Sequence, residues 1–86
     1  MKHTASKRFR QCFDALPADV QLLARRGFKQ LKVNPLHPSL HFKLLGNGRF
    51  RSARVGLYYR ALGIPVADGV HWFWIGTHAE YDKLVG

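Results

Sequence analysis

The sequence is short of acidic residues, of cysteine and of long apolar runs. Asp and Glu number 5 against 14 Lys and Arg, which gives a formal net charge of +9. The single cysteine, Cys12, excludes an intramolecular disulfide framework and a four-cysteine zinc site. No apolar run approaches the roughly 18 residues that a membrane span needs, and the N-terminus lacks the apolar core of a signal peptide. We therefore expect a cytoplasmic protein with no membrane partner.

The scarcity of acids leaves one long segment of purely positive charge. No Asp or Glu lies between residues 20 and 67. Nine bases fall in that segment: Arg25, Arg26, Lys29, Lys32, Lys43, Arg49, Arg51, Arg54 and Arg60. Such a block focuses positive potential and favours a polyanionic partner, either nucleic acid or an acidic protein. A solvated basic surface that only keeps the protein soluble is the alternative.

The size and composition predict one small folded domain, residues 1–86. Hydrophobic residues make up 47% of the 86 residues, which is too many for a disordered basic tail. The first third of the chain has helical periodicity. One apolar stripe runs from Phe9 to Leu16 and a second from Val20 to Leu31, with Pro17 between them. Two helices joined at a proline predict an antiparallel helical hairpin.

After the helices the apolar period changes from 3.6 to 2, which predicts strands. The predicted strands are Leu40–Leu45, Phe50–Val55, Tyr58–Leu62 and Val70–Ile75. Gly63–Gly69, which contains Pro65, is predicted as a loop, and residues 1–4 could add an edge strand. Strict alternation would place Trp72 and Trp74 on one face and Phe73 on the other.

Thr77 and Glu80 form a capping-box pattern, so residues 78–85 should begin a short final helix. The order of elements predicts an α+β fold with an N-terminal helical hairpin packed on a three- to four-stranded antiparallel sheet, followed by a short C-terminal helix.

Five side chains could together cleave RNA through its own 2′-hydroxyl. That reaction needs a base, an acid and cations for the charge that develops on phosphorus. The candidates are Lys43, Arg54 and Arg60 on neighbouring strands and His78 and Tyr81, three residues apart on the last helix. The alternative is structural: Tyr81 packs in the core, His78 lies on the surface and the arginine stems cover the sheet. We expect no metal or cofactor: His37 and His41 are four residues apart, but a proline and a helix-to-strand change separate them, and no thiolate or carboxylate lies nearby.

Three segments carry a family resemblance: Leu40–Leu45, Arg54–Leu62 and Trp72–Leu84. The second contains an "Arg-Val … Tyr-Arg" hairpin and the third an "Ile-Gly-x-His … Tyr" ending. With these segments in this order, the chain over about residues 6–86 resembles the RelE/ParE superfamily of toxins from type II toxin–antitoxin pairs. The resemblance implies a RelE-like fold and, as in RelE- and YoeB-like members, metal-independent cleavage of mRNA in the ribosomal A site. It also implies an acidic antitoxin, mRNA and the ribosome as partners.

The resemblance also implies roles for individual residues. Arg60 would contact the scissile phosphate, His78 would act as acid or cation, and Tyr81 would belong to the site. Arg54 and Lys43 match further basic positions on the sheet, and together with Arg49 and Arg51 of the acid-free segment we expect them to bind substrate.

One position departs from the family pattern. YoeB-like members carry a glutamate base near the first sheet strand, where this chain has Pro38 and Ser39. The base would then be Tyr81, His78, His41 or a neutral Lys43, or catalysis would be feeble or absent. Two other functions stay open: ParE-like inhibition of gyrase without cleavage, and a non-toxic relative that binds RNA or protein.

Overall fold

The computed structural model describes residues 1–85, in which strands outnumber helices. The elements are β1 (Lys2–Ala5), α1 (Lys7–Asp14), α2 (Ala18–Val33), a 3₁₀ turn (Pro38–Leu40), β2 (Lys43–Leu45), β3 (Phe50–Val55), β4 (Tyr59–Val66), β5 (Gly69–Thr77) and α3 (His78–Val85). The α+β class, the helical hairpin and the short final helix agree with the sequence prediction. Within the described residues, no helix has both the length and the apolar character that crossing a membrane requires.

The sheet differs from the prediction in its number of strands and in their direction. Its order is β1-β5-β4-β3-β2, so it has five strands where three or four were predicted. β1 runs parallel to β5 and the other pairs are antiparallel, which makes the sheet mixed. Residues 1–4 therefore do supply an edge strand. Gly69 permits this pairing, because a Cβ at that position would overlap the carbonyl oxygen of Lys2.

The two N-terminal helices begin where the local chemistry favours it. The Ser6 side chain caps α1 by accepting a hydrogen bond from the Phe9 backbone N–H at 3.1 Å. Pro17 precedes α2, and Asp19 lies in its first turn, where a negative charge interacts favourably with the helix dipole and stabilises the helix. The apolar stripe of α2 buries Val20 and Leu31 against the sheet.

Two strand boundaries correct the prediction. β2 is shorter than predicted because Pro38–Leu40 forms a 3₁₀ turn and His41 takes a left-handed φ of 42°. β4 continues through the predicted loop to Val66. Pro65 is tolerated there because β3 pairs with β4 only as far as Gly63, so no β3 carbonyl needs its missing N–H.

A bulge in β5 overturns the predicted arrangement of its aromatic residues. Leu62 pairs with Trp74 while Gly63 pairs with Trp72, which leaves Phe73 as an extra residue. Trp72 therefore packs with the helices, whereas Trp74 packs with Leu62 and Tyr81. The bulge separates two side chains that strict alternation would place together.

The sheet consequently has two chemically different faces. We call one the helix-covered face; its buried apolar cluster comprises Val20, Leu31, Leu40, Ala53, Val55, Ala61, Val70, Trp72 and Ile75. We call the other the cationic face; it carries Lys43, Arg54 and Arg60, and α3 packs on it through Tyr81. The candidate site lies on the cationic face.

Candidate functional site

Two arginines face each other directly on the cationic face. Arg54 of β3 and Arg60 of β4 are cross-strand partners. Like charges placed directly opposite destabilise a sheet, and no Asp or Glu lies between residues 20 and 67 to offset them. The pair therefore forms a site prepared for an anion, at some cost to the fold.

Arg60 is buried without a matching negative charge. Only 3% of the residue is exposed, and its Nε makes no hydrogen bond within residues 1–85. Its guanidinium carbon lies 5.0 Å from the centroid of the Tyr81 ring, a cation–π contact that fixes the plane of the guanidinium. Tyr81 is 6% exposed and packs with Leu62 and Trp74. The expected structural role of Tyr81 is thus present, and through it Tyr81 positions Arg60.

The start of α3 is held tightly against the end of β5. The Thr77 backbone N–H and hydroxyl donate to Glu80 Oε1 at 3.2 and 2.9 Å, and the Glu80 N–H donates back to Thr77 Oγ1 at 3.2 Å. This is the predicted capping box. The Thr77 backbone N–H, and then the Thr77 hydroxyl, lower the pKa of Glu80 below its usual range. The next backbone N–H, that of His78, donates to Tyr58 O at 2.7 Å.

His78 lies at the exposed end of the cationic face. Its ring centroid is 5.6 Å from that of Tyr81, at an interplanar angle of 57°. Its Nδ1 lies 3.1 Å from Oδ2 of Asp82, one helical turn along α3. Asp82, which makes this contact with a candidate site residue, was not among the residues predicted from the sequence. Its i, i+4 spacing from His78 was the signal that could have found it.

His41 joins the other end of the arginine pair. Arg54 Nη1 donates to His41 Nε2 at 3.3 Å, and Arg54 Nε donates to Gly56 O at 2.8 Å. Because a guanidinium can only donate, His41 Nε2 is the acceptor in this contact. The left-handed backbone of His41 turns its ring toward Arg54. His41, Arg54, Arg60, Tyr81 and His78 thus form one continuous row.

The remaining predicted residues divide between the two faces. Lys43 pairs with Ser52, so it lies on the cationic face, and it is exposed. Arg51 pairs with Gly63 on the helix-covered side, and its Nη1 donates to the carbonyls of Gly48 and Phe50. Its predicted place among the substrate-binding residues is therefore not supported by its position.

Arg49 also lies away from the arginine pair. It is exposed in the β2–β3 turn, where its backbone N–H donates to Gly46 O. It precedes Arg54 by five positions, about 16 Å of extended chain at the usual strand rise. The structure brings together Arg54, Arg60, Tyr81 and His78, places Lys43 on the same face, and leaves out Arg49 and Arg51.

The grouped residues offer charge stabilisation and proton transfer. Two guanidiniums can bind a phosphate in a bidentate manner, and an imidazole exchanges protons near neutral pH. Within residues 1–85, no group of three or more His, Cys, Asp or Glu side chains is arranged to hold a metal ion.

Comparison with known proteins identifies the fold through structure alone. No protein-family model matches the chain, and no curated protein matches it in sequence. A chain of the RelB–RelE antitoxin–toxin complex from Methanococcus jannaschii superposes with a TM-score of 0.74 at 15% identity, over 96% of this chain and 99% of that one. The chain has the RelE/ParE toxin fold.

Two further structures with this fold agree in length and architecture. YafQ from E. coli superposes with a TM-score of 0.72 at 15% identity, over 93% of this chain and 96% of its own. A YoeB/ParE toxin from Agrobacterium tumefaciens gives 0.70 at 14% identity, over 91% and 99%. The RelE/ParE fold is therefore matched along almost the entire chain.

Proposed function

We propose that this protein is the toxin of a type II toxin–antitoxin pair and a metal-independent endoribonuclease that cleaves mRNA at the ribosome. The observation that carries the proposal is the buried guanidinium of Arg60, which has no carboxylate partner within residues 1–85 and faces Arg54. A buried charge without a partner destabilises a fold, so a ligand phosphate is the group that explains it. The shared fold of the toxin structures supports the class.

The reaction divides the site into three roles. Arg54 and Arg60 bind the scissile phosphate and stabilise the negative charge that grows on it. Tyr81 holds Arg60 in place, and His78 exchanges the proton of the attacking 2′-hydroxyl. The exposed ammonium of Lys43 protonates the leaving 5′-oxygen. The products are a 2′,3′-cyclic phosphate and a free 5′-hydroxyl.

The charge distribution supports the proposed partners. The acid-free segment suits the phosphate backbones of mRNA and ribosomal RNA, and an acidic antitoxin would neutralise the same surface. This function places the protein in the cytoplasm.

Expression in cells, followed by mapping of transcript ends, tests the proposal. We expect the wild type to arrest growth and cut transcripts, and Arg60→Ala and His78→Ala to abolish both. Loss of a positioned acid or base lowers the rate about 10²–10⁴-fold. Arg49→Ala is the matched control, because it removes the same charge from a turn outside the site and should stay toxic.

Three outcomes would contradict the proposal in different ways. Intact transcripts with relaxed supercoils and a DNA-damage response would indicate gyrase inhibition. A folded protein without any effect on growth would indicate a non-toxic binding protein. Full toxicity of both Arg60→Ala and His78→Ala would contradict the proposed site but would still agree with a toxin.

A further inference from the structure

We propose that Asp82 is a positioning residue for His78: it holds the proton on Nδ1 and so leaves Nε2 free as the general base of RNA cleavage. This inference rests on the proposed function and adds to it a carboxylate that the sheet does not supply. The contact that carries it is the 3.1 Å approach of His78 Nδ1 to Asp82 Oδ2.

The geometry of this contact assigns the tautomer of His78. An ionised carboxylate only accepts hydrogen bonds, so the hydrogen between the two atoms belongs to Nδ1. Within residues 1–85, Nε2 makes no hydrogen bond. The nitrogen bonded to a carboxylate sets which ring nitrogen remains available, and here the available one is Nε2.

The backbone holds the two residues in register. His78 and Asp82 are one turn apart on α3, whose first turn is fixed to β5 by the contacts between Thr77 and Glu80. Tyr81, between them in sequence, anchors the same helix in the buried cluster with Leu62 and Trp74. The pair is therefore attached to the same rigid unit that positions Arg60.

Asp82 is the acid placed to perform this role. Glu80 is engaged by Thr77. Asp14 ends α1, Asp19 begins α2, and Asp68 lies at the opposite end of β5 from His78. A carboxylate acting through a histidine would compensate for the absence of acids from residues 20–67.

The proposed step transfers two protons and exchanges one bond to phosphorus for another. The 2′-hydroxyl proton passes to His78 Nε2 as the 2′-oxygen bonds to phosphorus, and the electrons of the breaking P–O5′ bond stay on the 5′-oxygen. That oxygen takes a proton from Lys43. Asp82 keeps its hydrogen bond to Nδ1 throughout and transfers no proton.

The simpler explanation is a surface ion pair between adjacent turns. Both side chains are more than half exposed, and exposed pairs contribute little to stability. Removing a purely structural pair would leave the rate of the chemical step unchanged, and that difference is measurable.

The experiment compares Asp82→Ala and Asp82→Asn with Asp68→Asn, which removes one negative charge from a remote turn. Nitrogen NMR of the intact protein reads the His78 tautomer, and RNA cleavage gives kcat and KM. We expect the wild type and Asp68→Asn to carry the proton on Nδ1 and Asp82→Ala to lose this preference. We expect Asp82→Ala to lower kcat about tenfold, below the 10²–10⁴-fold limit for a complete base, with KM changed less than twofold. Asp82→Asn keeps an acceptor oxygen and should lose less.

The two readouts separate this inference from the function on which it rests. An active wild type with Asp82→Ala equal to Asp68→Asn in both tautomer and kcat would overturn the role of Asp82. A wild type that cuts no RNA would overturn the proposed function instead. In that case the tautomer alone decides whether Asp82 positions His78, and an unchanged tautomer in Asp82→Ala counts against it.

Discussion

The two faces of the sheet contribute in opposite directions to the stability of the fold. The helix-covered face buries apolar side chains from α2 and three strands, and partly buried side chains of α1 pack against them. The cationic face places Arg54 opposite Arg60 and buries Arg60 with an unpartnered Nε. The first arrangement stabilises the fold, whereas the second costs stability unless an anion binds. Residues that determine the fold and residues proposed to determine the function are therefore separated by the thickness of one sheet.

Replacing Arg60 by methionine should give the largest difference between an effect on RNA cleavage and an effect on stability. We expect Arg60→Met to lower RNA cleavage about 10²–10³-fold, as the loss of one preorganised donor does elsewhere. Its free energy of unfolding should stay within about 1 kcal/mol of the wild type or rise, because an apolar side chain replaces an unpaired buried charge. Cleavage kinetics and urea unfolding measure the two effects.

Arg60→Lys is the control for charge. It keeps the positive charge but loses the planar fork that stacks on Tyr81, so it should cleave far more slowly than the wild type. A loss of stability above about 2 kcal/mol in Arg60→Met would show that the guanidinium stabilises the fold and would undermine the comparison.

A substitution on the helix-covered face should do the reverse: it should lower the free energy of unfolding and leave RNA cleavage unchanged. Leu31 of α2 is 3% exposed in the apolar cluster and lines a groove of about 820 Å³ between the helices and the sheet. We expect Leu31→Ala to lower the free energy of unfolding by about 2–3 kcal/mol, at the low end for leucine because the groove lets neighbours rearrange. RNA cleavage by the folded fraction should be unchanged. A tenfold loss of kcat without unfolding would contradict this expectation and show that the two faces are coupled.

The sequence predicts the helix-covered face better than the sheet edges. The stripes of α1 and α2 and the capping box at Thr77 are local patterns, so periodicity alone finds them. β1 has four residues, too few for a periodic signal, and its pairing depends on Gly69 being distant in sequence and close in space. The bulge at Phe73 follows from the register between β4 and β5, which no local pattern encodes.

The cationic face was predictable in its charge but not in its contacts. An acid-free segment indicates an anionic partner, yet it does not distinguish Arg60, which is buried on this face, from Arg51, which donates to the carbonyls of Gly48 and Phe50. Strand parity separates them only once the register is known. Asp82 is readable from its i, i+4 spacing to His78, whereas the family pattern places a carboxylate near the first sheet strand.

Substitution of Gly69 tests whether the edge strand β1, like the helix-covered face, contributes to the stability of the fold. In Gly69→Ala the new methyl group would overlap the backbone of Lys2, so β1 must move away from β5. We expect a loss of about 1–2 kcal/mol in the free energy of unfolding, within the usual range for single substitutions. Amide exchange should accelerate in β1 while β3 and β4 keep their protection. Equally faster amide exchange in all strands would mean that β1 and the strands of the cationic face unfold together.

The smallest expected effect is the pH dependence that His3 gives to this edge. Trp72 Nε1 donates to His3 Nδ1 at 3.1 Å, and the His3 ring stacks on Trp72 and meets Phe28 edge-on. Burial first, then the N-terminal ammonium and Lys32, lower the pKa of His3 below its ordinary value of 6.5. Protonation would also remove the acceptor that Trp72 uses, since both nitrogens of an imidazolium donate.

The sign of this effect follows from the lowered pKa. Below pH 6.5 the unfolded chain takes up a proton at His3 before the folded chain does, so stability falls as the pH drops from 6.5 toward the pKa of the folded state. We expect the Tm of the wild type to fall more between pH 7.5 and pH 5 than that of His3→Phe, which keeps an aromatic ring but cannot titrate. Above pH 6.5 the gap between the two proteins should be constant. Parallel Tm curves through the whole range would show that His3 is not buried as the folded edge requires.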